Sequence, residues 1–400
     1  MSKPDADVIV AGAGPAGAIV AYQLAKQGIS TIILEKETFP RYKVCGGGLT
    51  HKILGELPFP VEEIIESSIY TVRFSHNFQH TFSRISSDPV IYCTMRDRLD
   101  AFLLKKATDA GAKILFDEQV TGIQQNKSIV EVITKKNHYY AQLVIGAEGA
   151  ARTVARSMDL CKNISMGLAW EAEILADPED IVKYSQTAFL DWGTFPGGYG
   201  WVFPKKDHFS IGVGGPASLS TMMIAYYDQF TRSTGIRFLE TTSLKSWPIP
   251  VRTKESQFHN GRVLILGDAA GLTDPMTGEG IYYAVKSAKI AAETCSDYIR
   301  GKVSSLESYS ECINTELITE LMEANRIKYI FNAVPLRIHE LVRENDRVWG
   351  GFVKILRGER NYLDVRKGFG KWKSFWNPLA TILKYSGKWK EIHFKGKRMK

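Results

Sequence analysis

Residues 8–17 are Val-Ile-Val-Ala-Gly-Ala-Gly-Pro-Ala-Gly, an apolar run that passes directly into three glycines, Gly12, Gly14 and Gly17. The run predicts a buried strand, residues 18–27 predict a helix, and residues 31–34 predict a second strand. Glycines at this turn let the backbone approach a phosphate, and the helix N-terminus supplies free N–H groups. Residues 7–36 therefore predict one β-α-β unit that binds a dinucleotide.

The acidic residue that completes this pattern is Glu35, at the end of the second predicted strand. Its carboxylate is placed to accept hydrogen bonds from the ribose hydroxyls of the dinucleotide. Ala16, within the turn, and Lys36, directly after Glu35, belong to the same predicted cofactor-binding set.

A second group of motifs lies far from the first unit along the chain. Residues 262–271 contain a short apolar strand followed by Gly267-Asp268, and residues 275–281 contain Pro275, Gly278, Gly280 and Ile281 at the start of a predicted helix. Upstream, residues 41–49 combine Arg41 and Cys45 with a run of glycines that includes Gly46 and Gly47. Glycines in such a loop permit a close approach that side chains would block.

An aromatic strand supplies the most specific signature. Residues 199–205 are Tyr-Gly-Trp-Val-Phe-Pro-Lys, followed by Gly212 and Gly214. Tyr199, Trp201 and Phe203 alternate with period two, so their rings are expected on one face, and Pro204 closes the strand. The string resembles the Y-x-W-x-F-P-K-x6-G-x-G signature of the geranylgeranyl reductase family, flavoenzymes with a para-hydroxybenzoate-hydroxylase-like fold. The resemblance extends from about residue 7 to about residue 300.

That resemblance implies an α/β fold with a three-segment FAD-binding Rossmann-like domain, an inserted antiparallel β-sheet substrate domain and a C-terminal helical region. The FAD-binding domain is expected at residues 1–60, 90–164 and 255–300. The substrate domain is expected at residues 61–89 and 165–254, with residues 70–82 as one antiparallel strand. Residues 301–400 form the expected helical region, which ends in a basic, aromatic tail.

The resemblance also implies roles for individual residues. Asp268 would hold a ribityl or ribose hydroxyl, and the segment 278–281 would present N–H groups to the N1/O2 side of the isoalloxazine. Arg96 matches an arginine that contacts FAD, and Gly149 belongs to a string in which Glu148 replaces the usual Asp. Cys45 is implied on the substrate side of the flavin. Cys45, Tyr199 and Trp201 are the candidate catalytic residues.

Composition narrows the class of protein further. The five cysteines form no C-x-x-C pair and show no metal spacing, which indicates a reducing cytoplasm and no metal site. Residues 351–400 carry 14 Lys/Arg against 3 Asp/Glu, so the rest of the chain has a net charge of −3. The basicity therefore belongs to the tail, which argues against nucleic acid as the main partner. Glycines interrupt the one long uncharged stretch, residues 8–25, so no membrane span is expected.

The reaction that the resemblance implies is the saturation of prenyl double bonds on a lipid or pigment, with reduced FAD as the hydride donor. No second G-x-G-x-x-G unit is present, so the electrons are expected from NAD(P)H that docks transiently or from a small redox protein. Two alternatives stay open: a flavin-dependent monooxygenase or halogenase of the same fold, and a non-catalytic prenyl-binding protein. Aromatic residues and lysines in the tail suggest docking on the inner face of a membrane.

Overall fold

A computed structural model gives the architecture, and it describes residues 4–126 and 128–368. The strands in these residues are listed here in chain order: β1 (Ala6–Ala11), β2 (Thr31–Leu34), β3 (Gly48–Thr50), β4 (Ser67–Ile69), β5 (Thr71–His76), β6 (Gln79–Ile85), β7 (Ile91–Cys93), β8 (Lys113–Leu115), β9 (Val120–Gln125), β10 (Val130–Thr134), β11 (His138–Gly146), β12 (Ile164–Ala176), β13 (Thr187–Trp192), β14 (Tyr199–Pro204), β15 (Phe209–Pro216), β16 (Phe238–Thr241), β17 (Lys245–Arg252), β18 (His259–Asn260) and β19 (Val263–Ile265).

The helices of the same residues are α1 (Pro15–Lys26), α2 (Arg96–Asp109), α3 (Thr153–Ser157), α4 (Pro178–Tyr184), α5 (Ser220–Ser233), α6 (Ile281–Ile299), α7 (Glu307–Cys312), α8 (Thr319–Ala333), α9 (Pro335–Glu344), α10 (Asp346–Leu356) and α11 (Tyr362–Gly368). A π-helical segment, Ile313–Ile318, joins α7 to α8. None of these helices is both long and apolar enough to cross a bilayer.

The first sheet has the strand order β18-β19-β11-β1-β2-β8, and β9 and β10 extend from β11 as an antiparallel hairpin. Its central strands are parallel. They are almost completely buried, and α1 packs against both α2 and α6. The helix α1 begins at Pro15, three residues before the expected position. Proline suits the first turn of a helix because the N–H groups there have no partner within the helix, and proline has no N–H to leave unpaired.

The second sheet has the order β16-β12-β15-β14-β13-β5-β6, with β17 also paired to β12. It is antiparallel except for the pair β5–β13. One face is covered by α5 and forms its own apolar core. The opposite face carries Tyr199, Trp201 and Phe203 of β14, and its far end is covered by helices that include α9 and α10. The fold therefore confirms the α/β class, the inserted sheet and the helical C-terminal region.

The expectation of one strand over residues 70–82 was wrong. The segment forms a hairpin, β5 and β6, whose turn residues Asn77 and Phe78 both adopt positive φ angles, 52° and 63°. Two positive φ angles are typical of a tight hairpin turn, but Asn-Phe lacks the glycine that usually marks one. A third, three-stranded sheet, β3-β7-β4, lies next to the glycine-rich loop of residues 41–49, the glycine loop. The domain boundaries themselves stay a prediction.

The buried Arg252, at the end of β17, joins the second sheet to the first domain. Its guanidinium donates to three backbone carbonyls, those of Ala270, Lys162 and Leu160, at 2.7–2.9 Å. Burial lowers the pKa of Arg252 to about 10, which still leaves the side chain protonated at neutral pH. The carbonyls it satisfies would be left buried without donors if the guanidinium were removed.

We therefore expect Arg252→Met to lower the free energy of unfolding by about 3 kcal/mol, because it leaves buried carbonyls unsatisfied. Urea denaturation followed by tryptophan fluorescence measures this loss. Arg232→Met, at an exposed position in α5, is the matched control and should change stability by less than about 0.5 kcal/mol. Equal stability of the two variants would contradict the structural role of Arg252.

Candidate active site and flavin-binding site

In the turn between β1 and α1, Gly12 and Gly17 pack closely against other backbone atoms, whereas Gly14 faces open space. A Cβ on Gly12, where φ is 100°, would lie 2.6 Å from the Ala147 carbonyl oxygen, and a Cβ on Gly17 would lie 1.9 Å from that of Gly12. A Cβ on Gly14 would meet no atom within 4 Å. Gly14 is also the N-cap of α1 and supplies no side-chain cap. Free N–H groups and open space therefore coincide where a phosphate would approach.

Glu35 lies at the end of β2 and is buried. Its Oε2 accepts a hydrogen bond from the Ala13 N–H at 2.8 Å, and its Oε1 accepts one from the Glu37 N–H at 3.1 Å. Each oxygen keeps a second lone pair, so the carboxylate is oriented yet able to accept from a ribose hydroxyl. Lys36 is exposed and pairs with Glu37, so its side chain is not brought to this site.

A cluster of cations lies beside the glycine-rich loop. The buried Arg96 donates two hydrogen bonds to Asp100, at 2.9 and 2.8 Å, and Arg41 lies 3.2 Å from the same carboxylate. Burial acts to lower the pKa of Arg96, but Asp100 and the Cys45 side chain outweigh it and hold the pKa above its usual value. The pair is bidentate, so the Arg96 guanidinium is fixed in orientation.

Lys43 is a member of this cluster that the sequence reasoning did not single out. Its ammonium lies 3.9 Å from the position of a Cβ on Gly149 and 5.5 Å from the Trp247 ring centroid. Burial and the charge of Arg96 lower the pKa of Lys43. The glycine loop therefore brings a third cation, next to Arg41 and Arg96, to the edge where Gly149 lies. The alternation of basic residues at 41 and 43 was the available signal.

Glu148 has a structural role in this arrangement. Its Oε1 accepts a hydrogen bond from the Val154 N–H of α3 at 2.6 Å, and its Oε2 would lie 3.0 Å from a Cβ on Gly146. Burial raises the pKa of Glu148 to about 7. The longer side chain thus caps α3, while the neighbouring Gly149, with φ of 64°, keeps its backbone at the site.

The second motif, residues 262–281, packs directly on the first motif, residues 12–17. A Cβ on Gly267 would lie 3.1 Å from the Cβ of Ala16, which explains why Ala16 must be small. Asp268 is only half-buried, and its Oδ1 receives one long hydrogen bond, 3.3 Å, from Thr273. Gly278 has φ of 74°, so the helix α6 begins at Ile281 and not at Gly278 as expected, and Gly280 gives no side-chain cap. The first backbone N–H groups of α6 therefore have no side-chain cap.

Distant residues that sequence reasoning missed hold this second motif. Asp274 accepts hydrogen bonds from the backbone N–H groups of Met276 and Thr277 and from the Tyr362 hydroxyl of α11, the last at 2.7 Å. Glu279 receives the Thr50 hydroxyl and pairs with Lys52 at 2.7 Å. The loop is thus fixed by partners from α11 and from the end of the glycine loop, and neither contact has a sequence signal.

The aromatic strand fastens the glycine loop. The buried Lys205 donates to the carbonyls of Gly46 and Thr94, at 2.7 and 3.1 Å. A Cβ on Gly46 would lie 2.8 Å from both the Trp201 Nε1 and the Phe203 ring. The Lys and Phe of the signature therefore position Gly46, and Gly47 follows with φ of 64° and its Cβ position 1.8 Å from the Thr94 oxygen.

Trp201 itself lies on a floor of glycines. A Cβ on Gly212 would lie 2.2 Å from the indole, and one on Gly214 would lie 3.3 Å from it. The indole N–H points to Glu171 Oε2 at 3.2 Å, and Glu171 Oε1 accepts the Cys45 N–H at 2.8 Å. The Tyr199 hydroxyl donates to the Thr277 carbonyl. The strand therefore contacts the glycine loop and the second motif together, and Cys45, Tyr199 and Trp201 come to one place.

These features fit FAD. The Gly14 backbone, Glu35 and the N-terminus of α1 would hold the adenosine and pyrophosphate. The cations around Arg96, the half-buried Asp268 and the N-terminus of α6 would hold the remainder. Every cofactor-binding residue expected from the sequence, except the side chain of Lys36, borders this region. The exact contacts of each residue with the cofactor stay predictions.

Comparison with known proteins agrees with this fit. The model of the FAD binding domain family matches residues 5–315. The digeranylgeranylglycerophospholipid reductase of Methanocella arvoryzae is 30% identical over 350 residues, which cover 83% of this chain and 88% of that protein. The geranylgeranyl diphosphate reductase of Synechocystis is 28% identical over 316 residues, covering 72% and 74%.

Solved structures show the same fold. A geranylgeranyl bacteriochlorophyll reductase-like protein of Thermoplasma acidophilum superposes with a TM-score of 0.73 at 22% identity, over 85% of this chain and 92% of that one. The flavin-dependent brominase Bmp2 gives 0.72 at 20% identity, over 88% and 93%. Fold and site together define an FAD-dependent oxidoreductase. Within that class, the chain belongs to the geranylgeranyl reductase family.

The contrast between glycines gives a test of the cofactor site. We expect Gly14→Val to fold normally, because its Cβ meets no atom, but to lose FAD, because the side chain occupies the space of the pyrophosphate. The absorbance spectrum of the purified protein reports flavin content, and circular dichroism reports folding. Gly350→Val, also at an open position, is the control and should stay yellow. A yellow Gly14→Val protein would contradict the assignment.

Proposed function

We propose that this protein saturates carbon–carbon double bonds of geranylgeranyl chains carried by a lipid or pigment. The names of the two reductases that are 30% and 28% identical support this substrate class. Substrate assays with each precursor identify the carrier to which the prenyl chain is attached.

The single observation that carries the proposal is the contact between the aromatic strand and the glycine loop. Trp201 is packed on glycines of β15 and against Gly46, and Tyr199 lies beside it with ring centroids 5.5 Å apart. The neighbouring row of paired residues runs across β17, β12, β15 and β14, and it consists of Trp247, Ala169, Gly214 and Tyr199. Aromatic and small apolar residues make this face of the sheet apolar, which suits contact with a hydrocarbon chain.

The chemistry explains why the double bond must be held in place. An isolated trisubstituted alkene is not electrophilic, so its reduction needs a proton and a hydride that arrive at adjoining carbons. FAD, when bound and reduced, supplies the hydride from N5. The residues of this chain position the double bond, exclude water and hold the proton. Cys45 lies at the loop that faces this chemistry. NAD(P)H or a small redox protein would supply the electrons.

A halogenase or monooxygenase is the second candidate, because the brominase shares the fold. Halogenases carry a Gly-Trp-x-Trp-x-Ile-Pro string, whereas this chain has Gly200-Trp201-Val-Phe203-Pro204 at that place. A non-catalytic prenyl-binding protein is the third, and the intact flavin motifs argue against it. An anaerobic assay separates all three. The reductase should add two hydrogens per double bond without oxygen, as measured by mass spectrometry.

Oxygen-dependent NADPH consumption with no change in the prenyl chain would instead favour the monooxygenase or halogenase. Failure of the protein to bind flavin would favour the prenyl-binding protein.

Within the proposed site, Trp201 gives the sharpest variant. We expect Trp201→Ala to retain FAD but to lose about 100-fold in reduction rate. Without the indole, Gly46 loses a packing contact and Glu171 loses a hydrogen-bond donor, so the glycine loop shifts from its position. Trp201→Phe keeps the ring on the glycine floor and should lose less. Flavin content and single-turnover oxidation of the reduced protein measure the two effects. Loss of flavin from both variants would indicate a structural residue.

The tail from about residue 370 lies outside the described residues, and its membrane role is a proposal from the sequence alone. Lysines at 384, 388 and 390 alternate with Trp376, Trp389 and Phe394. Such a mixture suits an anionic bilayer surface, where each basic residue contributes about 1 kcal/mol. Sedimentation with anionic vesicles should show binding that falls with salt and with deletion of residues 388–400. Unchanged binding by the truncated protein would remove this role.

A further inference from the structure

The conformation of the loop that leads into α6 depends on Asp274. We call residues 274–280 the flavin loop, because its last residues belong to the segment expected to face the isoalloxazine. Asp274 Oδ1 accepts hydrogen bonds from the N–H groups of Met276 and Thr277, at 2.7 and 3.2 Å. The Asp274 carbonyl accepts the Gly278 N–H at 2.9 Å. One carboxylate oxygen and one carbonyl therefore fold the flavin loop into a single hydrogen-bonded turn.

The other carboxylate oxygen of Asp274 is bound from outside the loop. The Tyr362 hydroxyl of α11 donates to Asp274 Oδ2 at 2.7 Å. Both side chains are inside the protein, since Tyr362 is 4% exposed and Asp274 is 1% exposed. Burial and the charge of Asp274 raise the pKa of Tyr362, so the hydroxyl keeps its proton and remains a donor. Because a buried carboxylate oxygen without a donor is costly, the orientation of Asp274 depends on Tyr362.

The helix α11 connects the flavin loop with α8. Arg366 lies one turn after Tyr362 on the same face of α11, and its Nη1 donates to Glu323 of α8 at 2.9 Å. The Glu323 side chain is 1% exposed. The first turn of α11 is closed by reciprocal hydrogen bonds between Asn361 and Asp364, at 3.1 and 3.0 Å. Two polar contacts, each to a buried carboxylate, therefore dock α11 on both elements.

The end of the flavin loop that would face FAD needs an acceptor for its N–H groups. Gly278 has a φ of 74°, and α6, which begins at Ile281, has no side-chain cap. Uncapped N–H groups at a helix start are stabilised by an electronegative partner, such as the O2 side of an isoalloxazine. Because the Gly278 N–H is bonded to the Asp274 carbonyl, the residue next to the cofactor and the residue bound by Tyr362 belong to one turn.

We propose that Tyr362 is a positioning residue for FAD, and that bound FAD in turn holds α11 in place. Tyr362 fixes the Asp274 carboxylate, the carboxylate fixes the turn, and the turn presents the N–H groups of α6 to the cofactor. Both effects are one coupling free energy, so FAD stabilises the docked helix by the factor by which the docked helix tightens FAD binding. This coupling involves the cofactor and not the substrate, so its test does not depend on the proposed function.

Tyr226 provides a matched control for Tyr362. Its hydroxyl also donates to a buried aspartate, Asp191, at 2.8 Å, and Asp191 also accepts a backbone N–H, that of Phe78, at 2.9 Å. Tyr226 is 2% exposed, but it lies on α5 in the apolar core on the other face of the second sheet. Tyr362→Phe and Tyr226→Phe each remove one hydroxyl, keep the ring and leave a buried carboxylate with one donor fewer. Only Tyr362→Phe acts on the flavin loop.

The first test compares the FAD-loaded forms of the two variants. Circular dichroism should show that both fold. FAD should leave Tyr362→Phe at least about tenfold faster than wild type, and Tyr226→Phe less than about twofold faster. The flavin reduction potential should fall only in Tyr362→Phe, since the displaced N–H groups no longer stabilise the charge of reduced FAD. If the FAD release rate and the potential of Tyr362→Phe match those of Tyr226→Phe, the proposal is wrong.

The second test measures the reverse effect in the wild-type protein. Amide hydrogen exchange in α11, followed by mass spectrometry, should be about tenfold slower with FAD bound than after FAD is removed. The amides of α5, the helix that carries Tyr226, should exchange alike in both forms and so report an unchanged fold. In Tyr362→Phe, FAD should no longer slow exchange in α11. Equal exchange in wild-type α11 with and without FAD would overturn the proposal, even if Tyr362→Phe does not fold.

Discussion

The packing of the glycine loop against β14 is the constraint on which the site depends. Lys205 is 1% exposed, and its ammonium is held by two backbone carbonyls, one from Gly46 and one from Thr94. A buried ammonium is tolerated only where hydrogen bonds replace its hydration. The loop can approach closely because Gly46 meets the rings of Trp201 and Phe203 without a side chain of its own. One lysine thus joins the inserted sheet to the flavin-binding domain.

From that contact the other parts of the site follow. Fixing Gly46 places the Cys45 N–H on Glu171, which in turn orients the Trp201 indole. Tyr199, on the same strand face, reaches the Thr277 carbonyl, and Asp274 in that loop is held by Tyr362. The cost is a fully buried carboxyl on a strand that could have carried an apolar residue. Such a local departure from good core packing is typical of functional sites.

The fold alone does not define the reaction. Reductase-like proteins and a brominase superpose equally well on this chain, with TM-scores of 0.73 and 0.72. Function depends on the groups that line the site and not on the strand order. In this chain those groups are the glycine floor under Trp201, a loop in which Gly46 leaves room for two aromatic rings, and the buried Glu171.

Sequence by itself determined the β-α-β unit and the shared face of Tyr199, Trp201 and Phe203, because each depends on local periodicity or on spacing within a short segment. The α/β class and the FAD cofactor followed from the resemblance of its motifs to a known family. It could not reveal the hairpin at Asn77, whose turn lacks the usual glycine. Nor could it assign Lys205 or Glu171, whose partners lie 159 and 126 residues away. Those roles exist only when the tertiary structure buries both ends of each contact, since burial is what orients the lysine and raises the pKa of the acid.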